Sequence, residues 1–249
     1  MNLSSIVKPC QKKVFQQDNF YCVYDQTQIA NFHREMLTAK YWQSNNAVIG
    51  TAQGRGTTYF VQHKSEQWVL RHYYRGGLIG KLIKDSYLFI NQQLTRAAQE
   101  FNLLVAMTEL GLPVAKPVAY QVEKKGFFYH ADLLTARISD AEDLVAAMIK
   151  KSLTKEAWAA IGQTIQAFHQ QGIYHHDLNA HNILIDQQGK IWLIDFDQGQ
   201  QRQPNKGWQQ ANIKRLLRSF DKEKHKLPTL HWCIEDWQSF QQGYTSNIN

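Results

Sequence analysis

Between positions 46 and 63 the chain reads NAVIGTAQGRGTTYFVQH, a glycine-punctuated turn between two β-prone runs, which predicts a strand–loop–strand unit. QWVLRHYY supplies another short apolar and aromatic run, and RGGLIGKLIKD then interrupts the pattern with three glycines and basic residues. From Asn91 to Leu110 the period changes. Leu94, Ala97, Ala98, Phe101, Leu104, Val105 and Thr108 recur at helical spacing, and Gly111 with Pro113 stops the run. AKPVAYQVEKKGFFYHADLL predicts two strands joined at Lys124 to Gly126. From Ala141 to Gly172, DAEDLVAAMIKK and TKEAWAAIGQTIQAFHQQG predict two helices, the second capped by Thr154 and closed by Gly172. The pattern as a whole is α+β: a sheet-rich first half with one prominent helix, then a helical second half. The change falls near Ile138 to Asp140 without a Pro- or Gly-rich linker, so a tight hinge is expected there.

Composition narrows the class. At 249 residues with 43% hydrophobic and 20% charged positions, the chain can bury a substantial core and is neither disordered nor a fibrous repeat. Cys10, Cys22 and Cys233 lack the paired spacing of a zinc site or a disulfide framework, which predicts plain thiols in a reducing compartment. The opening MNLSSIVKPCQKK has no apolar stretch after its charges, and nowhere do 18 apolar residues run together, so neither a secretory signal nor a spanning helix is expected. A net charge of +7 favours an anionic partner or simply keeps the chain soluble. Position must decide between these. Arg71, Arg75, Lys81 and Lys84 fall within a stretch free of acids, and Lys214, Arg215, Arg218, Lys222, Lys224 and Lys226 cluster in a second basic stretch against Asp221 and Glu223. In that second stretch Ile213, Leu216, Leu217 and Phe220 share one helical face, which either lies on a membrane or packs into a core.

The chemistry is concentrated in GIYHHDLNAHNILIDQQGKIWLIDFDQG, Gly172 to Gly199. His175-His176-Asp177-Leu178 precedes Asn182 and the apolar run Ile183 to Ile185, so Asp177 and Asn182 lie on one loop that ends in a strand. A turn at Gln187 to Gly189 leads into Ile191 to Ile194, and the resulting hairpin brings Asp195 back beside Asn182. An amide oxygen and a carboxylate in that position suit a hard cation such as Mg²⁺. Asp177 is left to receive the proton of an acceptor hydroxyl, the division of labour that phosphoryl transfer needs. Each of these residues alone would read as a turn or strand-end residue. The three together at this spacing point to a kinase-like site.

The same residues resemble the protein-kinase superfamily, whose HRDLxxxxN and DFG motifs align with His175 to Asn182 and with Asp195 to Asp197. His176 stands where Arg is usual and Asp197 where Gly is usual, and the first of these argues against control by activation-loop phosphorylation. The resemblance implies a two-lobed protein-kinase-like fold in a single domain. Residues 1–138 would form an antiparallel-sheet N-lobe with one major helix, and 139–249 a mainly helical C-lobe. It also implies ATP and Mg²⁺, with Gly50, Gly54 and Gly56 as the phosphate-covering loop. Arg71 takes the position where a strand lysine is usual, and Glu100 becomes its helix partner. Adenine is expected against main chain near Leu134, Thr135 and Arg137.

Within the superfamily, VLRHYYRGGLIGKLIKD, RAAQEFNLLVAMTELGLPVAKPVAY, YHADLLTARI, HHDLNAHNILID, WLIDFDQG and NIKRLLRSF resemble the lipopolysaccharide-core sugar kinases, in particular those that act on 3-deoxy-D-manno-octulosonic acid (Kdo). This implies phosphorylation of a Kdo hydroxyl on a lipid A precursor. The enzyme would be peripheral at the cytoplasmic face of the Gram-negative inner membrane, with Arg75, Lys81 and Lys84 meeting the anionic substrate. No obligate protein partner is evident. A protein Ser/Thr kinase is the first alternative, but QGQQRQPNKGWQQ runs from the Asp195 motif straight into a helix and leaves no APE-like peptide-docking segment. Other sugar kinases remain a neighbouring option. A nucleotide-binding pseudokinase or basic nucleic-acid-binding module is the alternative of another class. It is kept open by Arg71 and the pI near 9.2 and opposed by the absence of a zinc-finger, RRM or helix-turn-helix signature, so no nucleic acid is expected.

Overall fold

A computed structural model describes residues 9–54, 56–74 and 85–246. They form a mixed α/β structure with a large antiparallel sheet and six helices, divided into two compact units. One comprises residues up to 109 together with 116–137, and the other residues 110–115 together with the chain from 138 onward.

In the first unit the strands are β1 Lys12–Gln17, β2 Phe20–Asp25, β3 Val48–Gln53, β4 Thr57–His63, β5 Glu66–His72, β6 Tyr87–Leu88, β7 Pro117–Lys125 and β8 Phe128–Ala136. They pair antiparallel in the order β1-β2-β7-β8-β5-β4-β3, with β6 on the outer end of β8. The first six residues of β7, PVAYQV, are all buried, as a central strand covered on both faces requires. On one face Trp42, from helix α1 (Ala39–Ser44), packs edge-on to Trp68 and donates its indole N–H to the Met36 carbonyl at 2.7 Å. On the other, Phe101 of helix α2 (Arg96–Glu109) meets Tyr120 at 5.2 Å. The hairpin expected over 46–63 is β3–β4, and the two strands joined near Gly126, at φ 62°, are β7 and β8. Helix α2 begins at Arg96 instead of Asn91. The Asn91 side chain accepts the Leu94 amide and Thr95 donates its hydroxyl to the Gln92 carbonyl, folding 91–95 into a turn.

In the second unit DAEDLVAAMIKK divides into strand β9 (Ala141–Asp143) and helix α3 (Leu144–Lys150) instead of forming one helix. Asp143 is the reason: its carboxylate caps the amides of Val145 and Ala146 at 3.0 and 3.2 Å, so the helix starts after it. Helix α4 (Lys155–Gln170) is capped by Thr154. Strands β10 (Ile173–Tyr174), β11 (Ile183–Asp186), β12 (Ile191–Leu193) and β13 (Gln200–Gln201) follow, then helices α5 (Lys206–Lys226) and α6 (Ile234–Thr245). Among the described residues no helix is long and apolar enough to cross a membrane. The basic amphipathic helix α5 turns Asn212, Leu216 and Phe220 into the unit's interior, so its apolar stripe is a packing face.

Helices α4 and α6 touch backbone to backbone. A Cβ on Gly162 would lie 2.2 Å from the Phe240 carbonyl oxygen, and one on Gly243 2.0 Å from that of Ala159. Helix propensity alone favours Gly162→Ala by about 1 kcal/mol. The clash is with main chain and cannot be relieved by a rotamer change, so this substitution is expected to destabilise by at least about 1–3 kcal/mol, read as a lowered urea midpoint.

Candidate active site

The loop between β10 and β11 is organised around His175, which is 2% exposed. Its Nε2 donates to the Ile194 carbonyl at 2.9 Å and its Nδ1 accepts the Asp177 amide at 3.2 Å, a pattern that fixes one neutral tautomer. Burial pushes the imidazole pKa down, outweighing the Ile194 bond and the nearby carboxylates. The ring packs against Phe196 at 4.7 Å, and Phe196 stacks on Phe168 of α4. A buried histidine thus ties the Asp177 loop to the segment that carries Asp195.

Asparagines complete the loop. Asn179 and Asn182 each donate a side-chain amide to the Asp177 carbonyl at 2.9 Å, and Asn179 also caps the short 3₁₀ turn Ala180–Asn182. The hairpin β11–β12 pairs Ile183 with Leu193, and the Ile194 amide donates to the Asn182 carbonyl at 3.0 Å. Asp195 follows at φ 62°, in the left-handed region that costs a non-glycine residue about 1 kcal/mol and is tolerated best by Asp and Asn. Asp177, Asn182 and the Asp195 segment are therefore brought together, as the spacing predicts.

Helix α5 supplies what the sequence reading missed. Asn212 clamps both main-chain groups of His175, at 3.3 and 3.0 Å, Ser219 accepts the Ala180 amide at 3.0 Å, and Arg215 forms a 3.0 Å ion pair with Asp177. These residues recur at i, i+3 and i+7, one face of a helix, and that spacing was the available signal. It was overlooked because the apolar stripe and the excess charge of the same segment dominate its appearance. His176 is exposed, its ring 6.2 Å from that of Tyr174.

In the first unit Arg71, on β5, and Glu100, on α2, meet as expected. The Arg71 Nη2 reaches both carboxylate oxygens at 2.5 and 2.6 Å, and the Tyr73 hydroxyl donates to Glu100 at 2.6 Å. Glu100 is 3% exposed, so it is a core carboxylate and not a solvated helix acid. Gly50 lies in β3 and Gly54 donates its amide to the Gly56 carbonyl. A Cβ on Gly56 would overlap the Tyr74 ring at 1.8 Å, so a larger residue there requires that ring to swing aside.

The positions expected to meet adenine are located on and just after β8. Leu134 and Thr135 lie inside β8, paired with β7 on one side and β5 on the other. The Arg137 amide donates to the Gln67 carbonyl at 2.8 Å. Arg75, Lys81 and Lys84 lie outside the described residues.

Two buried histidines set an acid limit. His169, 3% exposed and hydrogen-bonded to the Tyr244 hydroxyl at 2.7 Å, has its pKa lowered by burial to about 4, and that of His175 is lowered too. Both are neutral when folded and bind protons first in the unfolded chain. The contribution of His169 is complete above about pH 6.5 and is lost as pH falls toward 4, with a slope of up to about 1.4 kcal/mol per pH unit, and that of His175 is lost in the same direction. Urea unfolding across that range is expected to show the loss, and His169→Phe to reduce the slope.

A loop carboxylate, a loop asparagine and an aspartate just after a strand are thus gathered on one loop and one hairpin, the order in which the kinase signature residues occur. Residues 39–244 match the lipopolysaccharide kinase (Kdo/WaaP) family. A Vibrio vulnificus (strain YJ016) protein named 3-deoxy-D-manno-octulosonic acid kinase is 46% identical over 90% of this chain and 94% of its own. Proteins of the same name from Haemophilus influenzae (strain PittGG) and Photobacterium profundum are each 42% identical, over 92% and 91% of this chain and 98% and 95% of theirs. The chain belongs to the lipopolysaccharide kinase (Kdo/WaaP) family.

Proposed function

We propose that the protein transfers the γ-phosphoryl group of ATP, with Mg²⁺, to a hydroxyl of Kdo on a lipid A precursor. The fold is read as two-lobed and protein-kinase-like, with 1–138 as N-lobe and 139–249 as C-lobe. The observation that carries the reading is the Asp177 loop, in which the Asn182 side-chain nitrogen is tied to the Asp177 carbonyl and the chain entering Asp195 to the Asn182 carbonyl.

Asp177 receives the acceptor's proton as the hydroxyl oxygen bonds to phosphorus and the bond to ADP breaks. With its nitrogen committed to the loop, Asn182 offers its oxygen, and Asp195 offers carboxylate oxygens, a hard-donor set that suits Mg²⁺. Mg²⁺, when bound, neutralises charge on the donor's phosphates. Arg71, held by Glu100, is assigned to those phosphates and Gly50, Gly54 and Gly56 to the loop over them. Arg75, Lys81 and Lys84 are assigned to the anionic groups of the acceptor. The relatives' printed name supports the acceptor. A lipid-borne substrate and a net charge of +7 support peripheral attachment at the cytoplasmic face of the inner membrane.

The experiment incubates the protein with ATP, Mg²⁺ and a Kdo-bearing lipid A precursor and weighs the lipid by mass spectrometry. A gain of one phosphate is the expected result. Saturable ATP binding with no change in the lipid, from a protein of verified fold, overturns the acceptor assignment.

A further inference from the structure

A second cluster of chemically capable side chains lies in the first unit, on the sheet. His72 ends β5, His130 sits in β8 two residues before Asp132, and Asp85 shortly precedes the β6 segment. Strand register places His72 opposite Asp132, and the alternation of β8 puts His130 on the same face as Asp132. One carboxylate oxygen of Asp85 lies 3.4 Å from His72 Nε2 and 3.2 Å from His130 Nδ1, and the three ligand atoms all fall within 4.8 Å of one another.

Those separations have a meaning. A tetrahedral cation with bonds of about 2.0–2.1 Å to nitrogen and oxygen holds its ligands about 3.3–3.4 Å apart. Two of the three edges are already close to that length. The ring nitrogens on the far side are each engaged by oxygen, His72 Nδ1 with Asp132 at 2.8 Å and His130 Nε2 with Ser86 Oγ at 3.2 Å. Asp132 is fixed in turn by the buried Gln121 amide at 2.6 Å, which also reaches the Leu37 carbonyl. Carboxylate or hydroxyl support behind each imidazole is the arrangement that selects the tautomer of a metal-binding histidine and raises its basicity.

From this geometry we propose that His72, Asp85 and His130 bind one late first-row divalent cation of the zinc class, with the fourth position open to water. Imidazole donors select such an ion over Mg²⁺, whereas the oxygen donors assigned to Mg²⁺, Asn182 and Asp195, belong to the other unit. His72 and Asp85 also flank, in the sequence, the residues Arg75, Lys81 and Lys84. The competing account is an ion cluster with no metal, two imidazoles sharing one carboxylate.

Tag-free protein, stripped with a chelator, is titrated with Zn²⁺ against a chromophoric competitor, and with Co²⁺ to read the absorption of a tetrahedral site. One equivalent is expected to bind and to raise Tm. His130→Ala is expected to weaken binding by more than about 10-fold, and Asp132→Asn, which leaves all three ligands in place, by about 10–100-fold. Millimolar Mg²⁺ is not expected to displace the ion. Folded wild type that binds no Zn²⁺, or binding unchanged in both variants, overturns the proposal and leaves the ion cluster alone. The readout does not depend on phosphoryl transfer, so failure of the acceptor assignment would not be mistaken for failure of this site.

Discussion

Asp177→Asn is expected to lower kcat by roughly 10²–10⁴-fold, the contribution of a positioned general base, while leaving ATP affinity near that of wild type. The replacement keeps the shape of the side chain and removes its capacity to take a proton. The loop should survive it, because the loop is held through the Asp177 main chain: the amide goes to His175 and the carbonyl accepts from Asn179 and Asn182. What the side chain forfeits is charge in the Arg215 pair, nearly half exposed on both partners, and such a pair is worth about 0–1 kcal/mol. Single-turnover transfer with radiolabelled ATP separates the outcomes. A variant that retains more than a tenth of wild-type transfer would remove Asp177 from the role of base.

The second large effect is at Arg71. Its removal takes the cation from Glu100, a carboxylate at 3% exposure that also accepts the Tyr73 hydroxyl, and breaking a buried pair from one side costs about 3–5 kcal/mol. Arg71→Ala is therefore expected to lose a large part of a typical domain's stability along with activity. The double variant Arg71→Met, Glu100→Leu distinguishes the two losses. An apolar pair of similar volume should recover part of the stability, less the cost of taking the Tyr73 hydroxyl's Glu100 acceptor away, and none of the turnover. Recovery of both would show that the ion pair has no part in handling ATP.

The Asp177–Asn182–Asp195 arrangement was legible in the sequence because it is local. Its members lie within 19 residues on one loop and one hairpin, where spacing translates directly into geometry. The Arg71–Glu100 pair, 29 residues apart, was readable only through resemblance. Long-range pairing defeated the pattern elsewhere. The buried run ending at Leu134 gives no sign that both its edges will be occupied, by β5 on one side and β7 on the other. Strand β9 is three residues long and exists because β11 pairs with it, Leu184 against Asp143, so no periodicity could have announced it. The β1–β2 hairpin, by contrast, was readable. KKVFQQ and FYCVYD flank Asp18-Asn19, with Asp18 at φ 51°, a turn signal that went unused.

Because Asn212, Arg215 and Ser219 all reach the Asp177 loop from helix α5, a chain cut before Lys206 would retain every motif residue and lose the supports of the loop. Such a fragment would still match a pattern search on HHDLNAHN and DFD, yet the His175 main chain would lack its clamp and Asp177 its cation. For a shortened form of this chain, presence of the motif is therefore an insufficient sign of a working enzyme. Asn212, Arg215 and Ser219 on the helix that follows have to be present as well.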